Sequence, residues 1–338
     1  MKYLPWMSVM VLASLGLAAC GDDDDSSTAA GGSSNAGAAA LAGSPAEGGT
    51  AATGGSGGSK AGSASSQGGE GGAAAAAKDV VDTAVAAGTF TQLAKALTAA
   101  GLVDALKGEG PFTVFAPTDA AFEAFEKDNP GVLAGLSKDE LASVLKYHVV
   151  AGAAVESKDL VDEQVLVTLN GSPVLIDTTG GAKVSDASVT TADVQASNGV
   201  IHVIDKIILP PTDDIVETAI AAGTFTQLAG ALTSAKLVDT LKGDGPFTVF
   251  APTDAAFEKL DAVPTGNDLK NVLLYHVVSG AVGSGDLKAG SVSTLLDGKS
   301  LTVNLTGGVK INDAKVTTAN IIAKNGVIHV VDSVLVPE

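Results

Sequence analysis

AVAAGTFTQLAKALTAAGLVDALKGEGPFTVFAPTDAAFE runs from Ala84 to Glu123, and AIAAGTFTQLAGALTSAKLVDTLKGDGPFTVFAPTDAAFE runs from Ala219 to Glu258, 135 positions later. The echo continues. Tyr147-His148 returns as Tyr275-His276 at an offset of 128, and the NGVIH segment from Asn198 to His202 returns from Asn325 to His329 at an offset of 127. The copies differ mainly by seven residues between Phe122 and His148, around Asp128 to Ser137, and by one residue further on. A period near 130 is far longer than a solenoid repeat, so the chain holds two duplicated domains that fold separately. We place them at residues 78–210 and 211–338, joined at Pro210-Pro211. So short and proline-stiffened a connection predicts a restrained relative orientation.

Within one copy, Phe90, Leu93, Ala94 and Leu97 stand at i, i+3, i+4 and i+7, as do Phe225, Leu228, Ala229 and Leu232. That spacing predicts a helix with one apolar face. Phe112 to Ala116 is rich in strand formers and stops at Pro117. Thr118 or Asp119 is placed to cap a short helix through Phe122. A further helix carries Leu141, Val144, Leu145 and His148 on one side. Beyond residue 150 the pattern turns to period two, with turn signals at Asn170-Gly171 and Asn198-Gly199. The second turn is expected to join strands Val189 to Gln195 and Val200 to Ile208. Each copy therefore reads as α+β, with helices preceding and covering a mostly antiparallel sheet or sandwich.

The N-terminal fifth is of another kind. Residues 1–19 read as an export signal: Lys2 supplies the positive start, and an apolar stretch from Leu4 to Leu15, too short to span a bilayer, leads to Leu17-Ala18-Ala19-Cys20. That ending resembles a bacterial lipobox, and Cys20 is the one cysteine in the chain. An intramolecular disulfide is thereby excluded, and Cys20 is the expected lipidation site, with two or three acyl chains enough for stable anchoring. Residues 20–77 comprise this Cys and a Gly/Ser/Ala tether whose 57 residues beyond the Cys would span on the order of 40 Å as a coil. Asp22 to Asp25 read as a solvated charge run beside the membrane, with a sorting signal as the alternative. An exported protein, lipid-anchored to the envelope, is expected; Gly21 in place of an inner-membrane retention Asp favours the outer membrane.

Charge narrows the partners. The formal net charge is −18, and every one of the twenty basic residues is Lys. Residues 78–338 hold 18 Lys against 32 acidic residues. Phosphate recognition needs clustered cations, and planar bidentate recognition needs Arg, so nucleic acid is not an expected partner.

FTVFAPTDAAF, Tyr-His and NGVIHVI(V)D, in this order and twice over, resemble the signatures of the fasciclin domain family across about residues 78–337. The resemblance implies a seven-stranded β-wedge with a set of helices in each copy, and a role in adhesion or contact with extracellular matrix. For animal members it implies that surfaces near the Tyr-His pair meet cell-surface receptors. Here those positions are Tyr147, His148, Tyr275 and His276. For a lipid-anchored envelope protein the corresponding partners are a surface or matrix protein, a polysaccharide, or the same protein on a neighbouring cell.

Catalytic and metal chemistry finds weaker footing. His148 and His276 continue the apolar stripes of their helices, which predicts core imidazoles bonded to backbone. His202 and His329 alternate with apolar residues on a strand, without a second ligand at a zinc-like spacing. The Gly-x-Ser-x-Gly elbow of hydrolases is missing from the folded part. Gly108-Glu109-Gly110-Pro111 and its repeat at Gly243 precede a strand rather than a helix, unlike a dinucleotide cradle. Asp162-Glu163 and Asp213-Asp214 fall in expected loops, solvated and without a calcium-binding loop around them, and Gly283-Ser284-Gly285 reads as a loop. We therefore expect no enzyme, no cofactor and no metal. The leading expectation is an adhesion or matrix-binding module; the alternative is a receptor for a small apolar ligand held between helices and sheet.

Overall fold

The structure, a computed structural model, describes residues 78–337. The signal, Cys20 and the tether lie outside the described residues. The first copy runs α1 (Val80–Ala87), α2 (Thr91–Ala100), α3 (Val103–Leu106), β1 (Phe112–Pro117), α4 (Asp119–Asp128), α5 (Val132–Gly135), α6 (Lys138–Tyr147), β2 (Val149–Ala151), β3 (Val165–Val167), β4 (Pro173–Asp177), β5 (Lys183–Val184), β6 (Ala187–Ala196) and β7 (Gly199–Ile204). The second repeats it as α7 (Ile215–Ala222), α8 (Thr226–Ser234), α9 (Val238–Leu241), β8 (Phe247–Pro252), α10 (Asp254–Phe257), α11 (Gly266–Tyr275), β9 (Val277–Ser279), β10 (Gly290–Ser293), β11 (Ser300–Asn304), β12 (Lys310–Ile311), β13 (Ala314–Ala323) and β14 (Gly326–Val331).

Helix starts follow from local chemistry. Thr118 caps α4, its hydroxyl accepting the Ala121 amide at 3.3 Å, so of the two residues expected there it is Thr118 that serves. Asp119 does something else. It accepts the Thr91 hydroxyl at 2.5 Å and the Gln92 amide at 2.7 Å, supplying a cap to α2, whose own N-cap is the apolar Phe90. Ser137 and Glu140 close a reciprocal capping box on α6, and Asp214 and Glu217 close another on α7. Asp214 is thus engaged rather than a solvated loop acid, and it also pairs with Lys242 at 3.1 Å. The helix expected to end at Phe122 extends to Asp128 in the first copy, because the seven extra residues prolong α4 and add α5; in the second copy α10 stops at Phe257.

Each copy forms a seven-stranded sheet, in the order β2-β1-β7-β6-β5-β4-β3 and β10-β11-β12-β13-β14-β8-β9. β1 runs parallel to β7, and β8 to β14; the other neighbours are antiparallel. β1 and β7 are buried along their whole length. Period two then splits each of them between two cores. Val114, Ala116, Ile201 and Val203 face the helices and meet Val80, Phe90, Leu93, Leu97 and Leu145. Phe115 and Ile204 face the opposite side, with Tyr147, Val150, Val174, Ile176, Val184 and Ile208. β6 shifts register against β7 twice, between Val189 and Thr191 and again before Val194, with Asp193 at φ 59° inside the second shift. Such irregularities bend a strand, and here they turn the sheet into a wedge.

β7 ends at Ile204, short of the expected Ile208. Asp205 bonds back to Ser188, accepting its amide at 2.7 Å, and takes the chain off the ladder. Ile207 and Ile208 remain buried off the ladder, the Ile208 amide donating to His148 Nε2 at 3.2 Å. Among the described residues no helix is long and apolar enough to cross a membrane.

Candidate functional site

Tyr147, His148, Tyr275 and His276 stand where α6 and α11 hand over to β2 and β9, and all four are inside, at 2%, 2%, 5% and 2% exposure. Their polar atoms are spoken for, all by backbone except that the Tyr275 hydroxyl also accepts Asn312 Nδ2 at 3.1 Å. The Tyr147 hydroxyl donates to the Pro173 carbonyl at 3.0 Å, and the Tyr275 hydroxyl to that of Ser300 at 2.9 Å. His148 Nδ1 lies 2.8 Å from the Val144 carbonyl, while Nε2 accepts the Ile208 amide at 3.2 Å. Since a carbonyl only accepts, the proton sits on Nδ1 and the ring is neutral. His276 repeats this with Val272 at 2.7 Å and Leu335 at 2.9 Å. Burial pushes both rings down to about 4, only partly opposed by the carbonyl bonds. The imidazoles are the core residues their helical stripe predicts. A partner cannot touch these four side chains in this conformation; they hold the α6–β2 and α11–β9 corners and, through Tyr147 and Tyr275, the strands β4 and β11.

His202 and His329 lie on the face of the sheet turned away from the helices, the face whose core also holds Tyr147 and Tyr275. His202 stacks on Phe115 at 5.8 Å between ring centres, with Nε2 2.8 Å from the Val155 carbonyl and Nδ1 accepting the Asp193 amide at 3.4 Å. His329 does the same with Phe250, Val282 and Asn320. Burial lowers the pKa of His329. The four histidines thus serve four separate backbone junctions. Among the described residues no group of three or more His, Cys, Asp or Glu could hold a metal ion.

One residue that the sequence marked only as a turn signal has a larger part. Asn198 accepts the Val80 amide at 2.9 Å and donates to the carbonyls of Leu106 at 2.8 Å and Gly108 at 2.9 Å. A single amide side chain thus ties the start of α1, the end of α3 and the β6–β7 turn. Asn325 makes the same three bonds to Ile215, Leu241 and Gly243. The GxGP segment completes this corner: a Cβ on Gly110 would lie 2.0 Å from the Asn198 carbonyl oxygen, and one on Gly199 would lie 2.2 Å from that of Phe112. The glycines that looked like a weak phosphate loop are there because two backbones touch.

On the helix side of the first copy lies an open groove of about 600 Å³, between α1, the starts of α2 and α4, and strands β6 and β7. Ala84, Ala87, Phe90, Val194 and Ile201 give it an apolar lining, with Thr83 and Thr190 among its hydroxyls.

Two loop expectations need correction. Asp162 and Glu163 keep much of their surface in water, yet Asp162 accepts the Thr178 amide at 2.8 Å, and Glu163 accepts the Ser284 hydroxyl of the second copy. The Thr178 amide, ahead of the Thr179 and Thr178 hydroxyls, holds the Asp162 carboxyl below its usual range against a desolvation penalty. Gly283-Ser284-Gly285 is no idle loop but the segment that meets them.

A fasciclin-domain family model matches residues 88–210 and 223–337. The chain belongs to the fasciclin family. Its architecture is that of two tandem fasciclin domains, each with one seven-stranded sheet and its helices. Among fasciclin relatives, the uncharacterized protein sll1735 of Synechocystis sp. is 46% identical over 133 residues, which is 39% of this chain and 97% of that protein. Transforming growth factor-beta-induced protein ig-h3 of Sus scrofa is 31% identical over 244 residues, 69% of this chain but only 36% of that longer protein. A solved FAS1 domain pair from the insect cell adhesion molecule fasciclin I is similar at 18% identity, with a TM-score of 0.34, covering 74% of this chain and 97% of that one.

Proposed function

We propose that this fasciclin protein is a non-enzymatic adhesion or matrix-binding lipoprotein of the bacterial cell envelope. In this reading residues 1–19 direct export and Cys20 carries the lipid into the outer membrane. Residues up to 77 are the tether, and fasciclin domains at 78–210 and 211–338 engage a surface or matrix protein or a polysaccharide. The observation that carries it is the combination of two fasciclin domains with the lipobox-like ending at Cys20. The net charge of −18 with no Arg supports partners other than nucleic acid. The Tyr-His segments serve the contact surface indirectly: Tyr147 and Tyr275 fix the strands that follow the turns whose tips reach solvent at 169–171 and 297–299, and those tips belong to the contact face. Two sites on one tether gain avidity through effective concentration if both engage together.

The test compares the full chain with Cys20→Ser in the source cells. Expected are membrane fractionation and lipid mass on the parent, loss of both in the variant, and saturable retention of the purified protein on secreted matrix or envelope polysaccharide. A soluble parent, or a parent retained by neither fraction and dispensable for cell cohesion, removes the reading. The groove in the first domain favours a second reading, sequestration of a small apolar ligand; a hydrophobic compound co-purifying with the chain in equimolar amount would establish it.

A further inference from the structure

The two copies match closely in their cores and differ sharply along one edge. In the second copy the segment from Val282 to Asp286 reads Val-Gly-Ser-Gly-Asp; its counterpart in the first, Val155 to Asp159, reads Val-Glu-Ser-Lys-Asp. A Cβ on Gly285 would stand 1.9 Å from the Asp162 carbonyl oxygen, and one on Gly283 would stand 2.4 Å from that of Glu163. The three nearest atoms to a Cβ at each of these two positions belong to the first copy. At both positions a side chain would first strike the neighbouring domain.

The receiving edge is equally particular. Three residues, Val161, Asp162 and Glu163, separate Leu160 from Gln164, where only Lys288 and Ala289 separate Leu287 from Gly290. The additional residue pushes out the carbonyls that meet the glycines, with Glu163 at φ 57°. Among the described residues three hydrogen bonds cross here: the Gly285 amide to the Glu163 carbonyl at 3.2 Å, the Val165 amide to Asp286 Oδ2 at 2.9 Å, and the Ser284 hydroxyl to Glu163 Oε2.

A third difference sets the direction of that last bond. In the first copy Asp193 accepts both the amide and the hydroxyl of Ser157, so the hydroxyl proton points inward. In the second copy Asn320 takes Asp193's place at the same φ of 59°; its Oδ1 accepts the Ser284 amide at 2.8 Å, and its Nδ2 donates to Ser284 Oγ at 2.7 Å. A hydroxyl that receives a proton from Asn320 has its own free to give outward, to Glu163.

We propose that residues 161–165 and 282–286 form a directional joint that locks the two domains into one rigid unit, with Asn320 setting the polarity of the Ser284 hydroxyl. Each half of the joint occurs in one copy only. Glu156 and Lys158, an ion pair at 2.7 Å, occupy in the first copy the positions of the two glycines, so its equivalent face cannot accept another chain's 161–165 edge in this way. A head-to-tail contact present in full on both copies would propagate into filaments; divided as it is, it closes within one chain. The joint concerns the geometry of the pair and holds whatever ligand the domains meet.

Hydrogen exchange on the full chain tests this. In Gly285→Ala the amides of residues 165 and 285 are expected to exchange at least tenfold faster than in the parent, while those of β7 and β14 stay within twofold. Asn320→Asp, which restores the inward geometry of Asp193 and sets a second carboxylate toward Glu163, is expected to quicken the same two amides at least threefold. Gly230→Ala, on the exposed face of α8 with nothing within 4 Å, is the unchanged control. Protection of residues 165 and 285 equal to the parent's in both variants overturns the joint. So does protection that falls when the parent is diluted, because the contact then lies between chains.

Discussion

Acidification from pH 7 to 5 should weaken each domain through one buried ring. His148 is neutral in the fold, with a pKa pushed from 6.5 to about 4 by burial. The unfolded chain therefore binds a proton below pH 6.5 that the folded chain refuses until about pH 4, and lowering the pH favours unfolding across that window. The stabilisation is fully present above pH 6.5 and lost as the pH falls to about 4, where it amounts to about 3 kcal/mol. At pH 5 the loss is already about 2 kcal/mol for His148, and the same for His276 in the second domain, whose pKa also falls to about 4. Carboxylates act elsewhere on the scale. The Ser157 hydroxyl, then its amide, holds Asp193 below its usual value, and the Thr226 hydroxyl, then the Gln227 amide, does so for Asp254. Their contributions are present above the ordinary carboxylate range near 3.8 and disappear only below it. Urea melts at pH 7 and pH 5 isolate the histidine effect. With a slope of roughly 2 kcal/mol per molar for a domain of this size, each midpoint should drop by about 1 M. His148→Gln with His276→Gln should start lower at pH 7 and show almost none of that drop. A parent midpoint that moves by less than about 0.3 M, or a double variant that falls as far as the parent, would falsify the assignment of these rings as neutral core groups.

Asn198→Ala removes three hydrogen bonds and leaves two carbonyls and an amide to find new partners, so the first domain should lose roughly 2 to 4 kcal/mol, with the Val80 amide losing protection. Asn198→Asp should be worse still at pH 7, since a carboxylate would face the carbonyls of Leu106 and Gly108; a stability equal to the parent's would discredit the tie. Asp254→Ala uncaps α8 from outside and should cost about 1 kcal/mol, read as faster exchange at Gln227. Gly110→Ala places a methyl against the Asn198 carbonyl and should cost more than about 2 kcal/mol, whereas Gly135→Ala, with nothing within 4 Å, should be close to neutral in the same melt.

Much of the fold was legible because its signals are periodic and stated twice. The stripe of Phe90, Leu93 and Leu97 and the burial of Phe112 to Ala116 were both readable from spacing, since amphipathic period and strand propensity are local properties. So was the burial of His148, which continues the α6 stripe. What escaped were contacts in which the partner is distant in sequence. Asp119 looks like a cap for the helix it begins, yet its carboxylate reaches 27 residues back to Gln92. Asn198 looks like a turn residue, yet its amide reaches the Leu106 carbonyl 92 positions away. The end of β7 was missed for the same reason: nothing in Ile207-Ile208 says that the Ile208 amide goes to a histidine ring rather than to a strand. Tyr147 and Tyr275 show the limit of a motif. Their recurrence marked an important position, but only the bonds to Pro173 and Ser300 show that the importance is architectural.

The pattern of divergence between the copies argues that the pair, and not the single domain, is the unit on which function acts. Substitutions that alter packing alone should scatter over two duplicated domains with little regard to position. The polar and backbone ties within each domain instead came through intact in both: Asn198 and Asn325, Asp119 and Asp254, His148 and His276, Gly110 and Gly245 make matching contacts. Gly283, Gly285, Asn320 and the residue added before Gln164 depart from their counterparts in size, charge or number, and all of them meet in one place. At either glycine the nearest atoms to a Cβ belong to the other domain, at 1.9 to 3.0 Å, so the close approach that calls for glycine is the one between the domains. What they secure is the fixed separation of the two Tyr-His corners and the turns beside them. If both domains engage at once, as proposed, a joint that keeps the pair from flexing spares that bivalent contact the entropy of aligning its two halves.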